Sequence, residues 1–301
     1  MSVAVQTVAL LGRFAEHTVR DTAAVLLPHL AARGLTTLTQ SGPQGELLAG
    51  LATQVPDEEL AARVQLAIVI GGDGSLLYAA RLFAGSGVPM LGINRGRLGF
   101  LTDVLPQDML ESVDAALSGR CESDQRRLLD ARLIAADGSE RSRLALNDVV
   151  ISKWETGRIL EFETRVNGRY VNTHGGDGLV VSTATGSTAY ALACGGPIVE
   201  PGLDVLVLAP ICPHTLADRP IMVSASSRIT VVLHERYDTR ALVSCDGVTI
   251  GELLPSERLE ILPSEQHITL LHPPGYDYFR LLRSKLHWGR GGHAPPPPAG
   301  D

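Results

Sequence analysis

The stretch Ala67-Ile68-Val69-Ile70-Gly71-Gly72-Asp73-Gly74-Ser75-Leu76-Leu77 decides how the rest of the chain is read. Four consecutive apolar residues suit a strand of a parallel sheet, covered on both faces. The run stops at two glycines, an acid and a third glycine, and an apolar helix start follows at once. Such glycines suit a turn that a ligand approaches closely, and amides at a helix N-terminus suit phosphate. Gly71, Gly72, Gly74 and Ser75 are therefore candidates for holding a donor phosphate. Asp73 needs a reason. It either caps the following helix, or it works beside phosphate with a metal or a proton.

Upstream, Val3 to Leu11 reads as a strand ending at Gly12, and Val19, Ala23, Leu26, Leu27 and Leu30 recur at helical spacing across Glu16 to Arg33. Leu35 to Leu38 follows as a short strand, Ser41 to Gly50 as a loop, and Asp57 to Arg63 as a polar helix. Downstream of the glycine turn, Val88 to Ile93 is the next strand. It runs into Asn94-Arg95-Gly96-Arg97-Leu98-Gly99-Phe100-Leu101, where two arginines are placed to approach phosphates or carboxylates. Pro106 to Leu117 reads as an amphipathic helix with proline in its first turn. Alternating strands and helices predict a parallel α/β domain over residues 1–126, with both glycine loops at the carboxyl edge of its sheet.

From Arg127 the helical periodicity fades and short β-rich runs take over. Asp137-Gly138, Asn167-Gly168 and Asp246-Gly247 are hairpin signals. They predict a mainly antiparallel all-β domain over 127–275. Residues 276–288 read as a segment docking back on the first domain, and 289–301, with four consecutive prolines, as a disordered tail. Within the second domain, Asp177-Gly178-Leu179-Val180-Val181-Ser182-Thr183-Ala184-Thr185-Gly186-Ser187-Thr188-Ala189-Tyr190 leads a strand into a hydroxyl-rich turn. Six of the nine residues from Ser182 to Tyr190 carry hydroxyls. They suit a phosphate, a ribose or an adenine edge, against the plainer alternative of an N-cap. Asn147 and Asp148 interrupt the apolar run Leu144 to Ser152, so they need partners if buried.

The bulk properties exclude several classes. A length of 301 residues allows two domains with real cores. A net charge of -7 argues against a general nucleic-acid surface. Cys121, Cys194, Cys212 and Cys245 form no CxxC pair, so neither a disulfide framework nor a zinc ribbon is expected, and a reducing cytoplasm fits. No run of 18 apolar residues exists, and the first residues lack a signal-peptide pattern. There is no GxxxxGK[ST] loop, no GxGxxG after the first strand and no HExxH. His174 and His214 are the two histidines worth following.

These blocks, taken in order, resemble the NAD kinase family. Gly71-Gly72-Asp73-Gly74-Ser75 is similar to its GGDG loop, and Gly92 to Thr102 to the block after it. Asn147-Asp148, the 177–190 block with Gly195-Gly196-Pro197-Ile198, and Pro213-His214-Thr215-Leu216 with Arg219-Pro220 resemble the later blocks. The resemblance implies an α/β domain followed by a β-rich domain. It implies transfer of the terminal phosphoryl of ATP, with a divalent metal (Mg²⁺ above all), to the adenosine-ribose 2′-hydroxyl of NAD. By matching position it implies Asp73 as general base and Gly74 beside NAD. It implies ribose contacts from Asn147 and Asp148, and NAD contacts from Arg158, Gly175 and Asp177. Thr185, Thr188, Ala189 and Tyr190 would line the dinucleotide. Arg95 joins the glycine loop on the donor side, and metal ligands stay unassigned. The family is typically homo-oligomeric, so a homodimer or homotetramer is expected. Two departures stand out. Ala184 replaces a usual proline. Gly175 replaces an arginine that accompanies ATP as donor in Gram-negative members, glycine there accompanying use of polyphosphate. Other kinases with a GGDG loop, acting on lipids or sugars, and a non-catalytic NAD(P) sensor are the alternatives.

Overall fold

The computed structural model describes residues 5–96, 98–154, 159–235 and 239–287. The chain forms two compact units, one of 1–76, 88–124 and 270–301, the other of 77–87 and 125–269. Compared with a division at 126 and 275, residues 77–87 cluster with the second unit and 270–275 with the first.

In the first unit five strands run parallel in the spatial order Pro89–Ile93, Leu66–Ile70, Thr7–Gly12, Thr36–Gln40 and Thr53–Val55. The strand Leu66–Ile70 is buried along its whole length, as its unbroken apolar run requires. The helices His17–Ala32 and Met109–Leu117 cover one face through Val19, Ala23, Leu26, Leu30 and Val113. Pro28 lies inside an uninterrupted helix. Two details differ from the sequence reading. Residues 41–50 contain a short helix, Pro43–Glu46, and Pro106–Asp108 is a 3-10 turn preceding the α-helix. The chain's last described helix, Tyr278–Leu286, belongs to this unit, with Leu281 and Leu282 buried and Asp277 capping its first amides. The segment 289–301 lies outside the described residues.

The second unit is an antiparallel sandwich. One sheet orders Arg169–Gly176, Leu160–Val166, Ile229–Leu233 and Arg258–His272, with Glu122–Ile134 and Glu140–Ala145 added alongside. The other orders Ile221–Ser224, Val205–Ile211, Gly178–Thr183, Asp148–Lys153, Ala241–Cys245 and Val248–Leu253. Val149, Ile151, Leu179, Val181 and Val243 from the second sheet meet Phe162, Val231 and Ile261 from the first in one core. Val150, Val180 and Val207 point the other way, under Ala184, Ala191 and Val199. The strand Gly178–Thr183 is therefore buried on both faces, unusual for an antiparallel sheet.

Four strands escape the sequence reading. Val205–Ile211 is buried from Leu206 onward, so it has no polar alternation, and Pro210 disguises it further. Ile221–Ser224 is short and lies at a sheet edge. Thr53–Val55 and Val248–Leu253 are missed as well. The single run Leu144 to Ser152 is in fact the end of one strand and the start of another, broken at Leu146-Asn147. Asn167 and Asp246 take positive φ values of 52° and 49° before Gly168 and Gly247, the geometry of a tight hairpin.

Candidate functional site

The first unit presents the GGDG turn. The strand Leu66–Ile70 ends at Gly71, and Asp73 opens the helix Asp73–Phe83. A Cβ on Gly71 would lie 2.2 Å from Ser75 Oγ, so the turn needs glycine there. Ser75 Oγ is buried and has no hydrogen-bond partner among the described residues. Gly74 is exposed with open space around it.

Asp73 does not cap its own helix. Its carboxylate reaches across to the loop that follows the next strand. Oδ2 accepts from Phe100 N at 2.9 Å. Oδ1 accepts from Leu101 N at 3.0 Å, and from Thr102 N and Thr102 Oγ1, each at 3.2 Å. This strap of residues 100–102 comes close because Gly99 has no side chain. A carboxylate has about four acceptor positions, so Oδ2, with one donor, retains capacity for a substrate hydroxyl. Arg95 pairs with Glu16, which also binds Arg13 Nε at 3.0 Å, and the Arg95 guanidinium lies near Gly72. Arg97 lies outside the described residues.

The second unit gathers the other blocks around Asn147 and Asp148. Asn147 O accepts from Thr183 N at 2.9 Å and from Ser182 Oγ at 3.2 Å. Gly186 packs so closely on Asn147 that a Cβ would lie 2.2 Å from its carbonyl oxygen. Asp246 holds the same junction from the other side. Its carboxylate accepts from Leu146 N at 2.9 Å, Asn147 N at 2.8 Å and Asp148 N at 3.2 Å. Sequence reading takes Asp246-Gly247 only as a turn, and only the positive φ of Asp246 belongs to that role. Asp148 is 5% exposed. Burial first, then the neighbouring Asp246, pushes its carboxyl up to about 7, against the pull of the Tyr190 amide. Asp246 is raised too, mainly by burial, against the pull of the Leu146, Asn147 and Asp148 amides and then of Arg81.

The hydroxyl-rich block is mostly turned inward, which corrects its reading as a ligand surface. Ser182, Thr183, Thr185 and Ser187 are buried. Thr183 Oγ1 donates to Leu146 O at 2.6 Å, and Ser187 Oγ accepts from Val199 N at 3.0 Å. Thr185 Oγ1 accepts from the buried Arg126 at 3.2 Å. These hydroxyls satisfy backbone and a buried arginine instead of a ligand. The block surfaces only at its end. Thr188 and Ala189 are partly exposed and Tyr190 is 44% exposed. Asp177 Oδ1 accepts from Lys153 Nζ at 2.5 Å. Gly175 sits in the strand Arg169–Gly176, and among the described residues a Cβ there would meet only Ile159 Cγ2 at 3.7 Å. Arg158 lies outside the described residues. His174 is held by Asp218 at 3.0 Å and stacked on Phe162, while His214 is exposed. All four cysteines are free. Among the described residues no group of three or more His, Cys, Asp or Glu is placed to hold a metal, and no helix is long and apolar enough to cross a membrane.

Residues 13–121 match the sequence model of the ATP-NAD kinase N-terminal domain, and residues 146–272 match that of the ATP-NAD kinase C-terminal domain. This chain belongs to the NAD kinase family. The NAD kinase of Methylococcus capsulatus is 42% identical over 283 residues, which are 94% of this chain and 97% of that one. The NAD kinase of Teredinibacter turnerae is 43% identical over 290 residues, covering 94% and 96%. An NAD kinase from Archaeoglobus fulgidus in complex with ATP superposes with a TM-score of 0.73 at 25% identity, covering 94% of this chain and 99% of that one. Yeast NADH kinase complexed with NADH shares the fold, with a TM-score of 0.89 at 21% identity, covering 97% and 90%. The two arrangements that the geometry offers are a strapped carboxylate at the glycine turn and an Asn147-Asp148 junction held by Asp246.

Proposed function

We propose that this chain transfers the terminal phosphoryl group of ATP to the adenosine-ribose 2′-hydroxyl of NAD, giving NADP and ADP. The observation that carries this reading is the end-to-end likeness to curated NAD kinases, with the GGDG carboxylate in place. The 2′-oxygen attacks the γ-phosphorus, the bond to the β-phosphate oxygen breaks, and the hydroxyl proton passes to Asp73. Phosphoryl transfer has a loose transition state, so positioning and charge neutralisation supply most of the rate. Oδ2 of Asp73 is the oxygen with room for the hydroxyl. Carboxylates are weak bases, so the proton moves late, once the forming bond has acidified the hydroxyl.

The amides of Asp73 and Gly74, which open the helix Asp73–Phe83, have no intrahelical partner by position, and they meet the donor phosphates. Arg95 stands beside them. A divalent metal such as Mg²⁺ would be bound mainly through the ATP phosphates and would supply charge neutralisation there. On the acceptor side, Asn147 and Asp148 receive ribose hydroxyls, and Thr188, Ala189 and Tyr190 form the dinucleotide wall. Asp177 meets the nicotinamide end once Lys153 yields part of its hold. The hydroxyl of Thr185 plays its part through Arg126. The enzyme works in the cytoplasm as a homodimer or homotetramer, which light scattering of the purified chain tests. Turnover measured with NAD and NADH, each against ATP and polyphosphate, tests the function itself. Absence of NADP under every donor overturns it.

A further inference from the structure

The strap that holds Asp73 is itself held from a distant part of the chain. Thr102 donates twice to Asp73 Oδ1, and Asp103 follows it directly. The backbone on either side is tied locally: Gly99 N donates to Thr102 O at 2.9 Å, and Asn94 N to Val104 O at 2.9 Å. The side chain of Asp103 is instead buried in the first unit, 7% exposed. Its Oδ2 accepts from Nδ1 of His272 at 2.7 Å. Its Oδ1 has no hydrogen-bond partner among the described residues, so the carboxylate is held through Oδ2. His272 lies 169 residues further along and closes the strand Arg258–His272. It is 2% exposed, its ring stacks on Tyr276 at 3.8 Å, and its Nε2 stands 3.5 Å from Asp124 Oδ2. The ring is thus fixed from three sides.

We propose that His272 is a positioning residue for the phosphoryl transfer, setting the Asp73 carboxylate through Asp103 and Thr102. The effect on turnover rests on the kinase reading, whereas the hold on the strap does not. A buried carboxylate that loses its donor is unstable where it stands. Asp103 then swings toward water and takes its backbone along. Two of the three donors on Asp73 Oδ1 belong to the adjacent Thr102. Without them the carboxylate turns about its own bond, and Oδ2 loses its aim at the ribose hydroxyl. His272 touches neither substrate in this scheme. Its influence falls on kcat, while NAD affinity stays with Asn147, Asp148 and Tyr190.

Two variants of the full chain separate this role from packing. The amide nitrogen of His272→Asn falls near the place of Nδ1 and restores a donor, whereas His272→Ala leaves none. His272→Ala is expected to lower kcat about tenfold, with KM for NAD within about twofold of the parent, and His272→Asn to recover most of that loss. Hydrogen exchange reads the strap directly. In His272→Ala the amides of Phe100, Leu101 and Thr102 are expected to exchange about tenfold faster, and those of Gly178–Thr183 at the parent's rate. Leu26→Ala, a core truncation in the helix His17–Ala32 of the same unit, is the control for lost stability. It is expected to lower Tm at least as far while leaving kcat within about twofold. If His272→Ala does not fold, Asp103→Asn carries the same readouts at about threefold, because it keeps an acceptor for Nδ1 but gives up the charge. Strap amides that exchange at the parent's rate in these variants overturn the proposal, and so does faster exchange with kcat unchanged. A loss of kcat shared equally by His272→Asn or by Leu26→Ala overturns it too. A parent chain that turns over no NAD counts against the kinase reading alone, because faster exchange still establishes the hold of His272 on the strap.

Discussion

A methyl group on Gly99 would lie 2.0 Å from Oδ1 of Asp73 and 2.4 Å from Thr102 Oγ1. The position of the acid is thus set by a missing side chain 26 residues further along. Gly99→Ala is expected to push the carboxylate off the strap. Misplacing a reacting group by about an ångström costs on the order of 100-fold in rate. Steady-state kinetics are expected to find that loss in kcat, with KM for NAD little changed. An unaltered kcat would mean that the strap does not position Asp73.

Asp73→Asn keeps the size of the side chain but removes its ability to take a proton. It is expected to lower kcat by about 100- to 10,000-fold. Calorimetric NAD affinity is expected to survive, because Asn147, Asp148 and Tyr190 remain. Full turnover by this variant removes Asp73 as the base.

Asp148 gives the protein a pH signature. Its folded value of about 7 lies above the ordinary 3.8, with burial as the main cause. The stability that follows from this is fully present below the ordinary carboxylate value and is lost as pH rises through about 7. Asp148→Asn is therefore expected to raise Tm relative to the parent more at pH 8 than at pH 5. Ribose hydroxyls donate best to the ionised carboxylate, so KM for NAD is expected to fall as pH rises through the same window. A pH-independent KM in the parent refutes the ribose contact.

Two glycines of the acceptor side predict opposite outcomes. Gly186→Ala places a methyl group 2.2 Å from Asn147 O. Overpacking of this kind costs about 1–3 kcal/mol, visible in denaturant midpoints, and raises KM for NAD. At Gly175 a Cβ meets, among the described residues, only Ile159 at 3.7 Å, so the backbone there accepts a side chain and Tm of Gly175→Arg is expected to hold. Assayed against both donors, Gly175→Arg is expected to lower polyphosphate use relative to ATP.

The parallel unit was legible because its signals are local. The run 67–70 is apolar without interruption, and Gly71 punctuates it. The sandwich was legible in outline from its Asn-Gly and Asp-Gly turns, but not strand by strand. Val205–Ile211 shows no alternation because Val207 and Ala209 are buried under the 184–199 segment on the face opposite the main core. The site divides the same way. Asp73, Asn147 and Asp148 are candidates that their sequence blocks single out. The strap from Phe100 to Thr102 and the hold of Asp246 on three amides are not singled out in this way, because each links residues far apart in sequence. The hydroxyls from Ser182 to Ser187 misled because a hydroxyl serves a buried carbonyl as readily as a ligand.

The double coverage of Gly178–Thr183 has a consequence for how the molecule breathes. Amides in a strand packed on both faces exchange with solvent only in the largest openings. The exposed end at Thr188 to Tyr190 follows directly from that slow-opening segment. Deuterium uptake by the amides of Gly178–Thr183 is expected to lag behind that of the exposed Thr188 to Tyr190 end. A segment anchored in this way keeps its shape through the small fluctuations that open the rest of the fold.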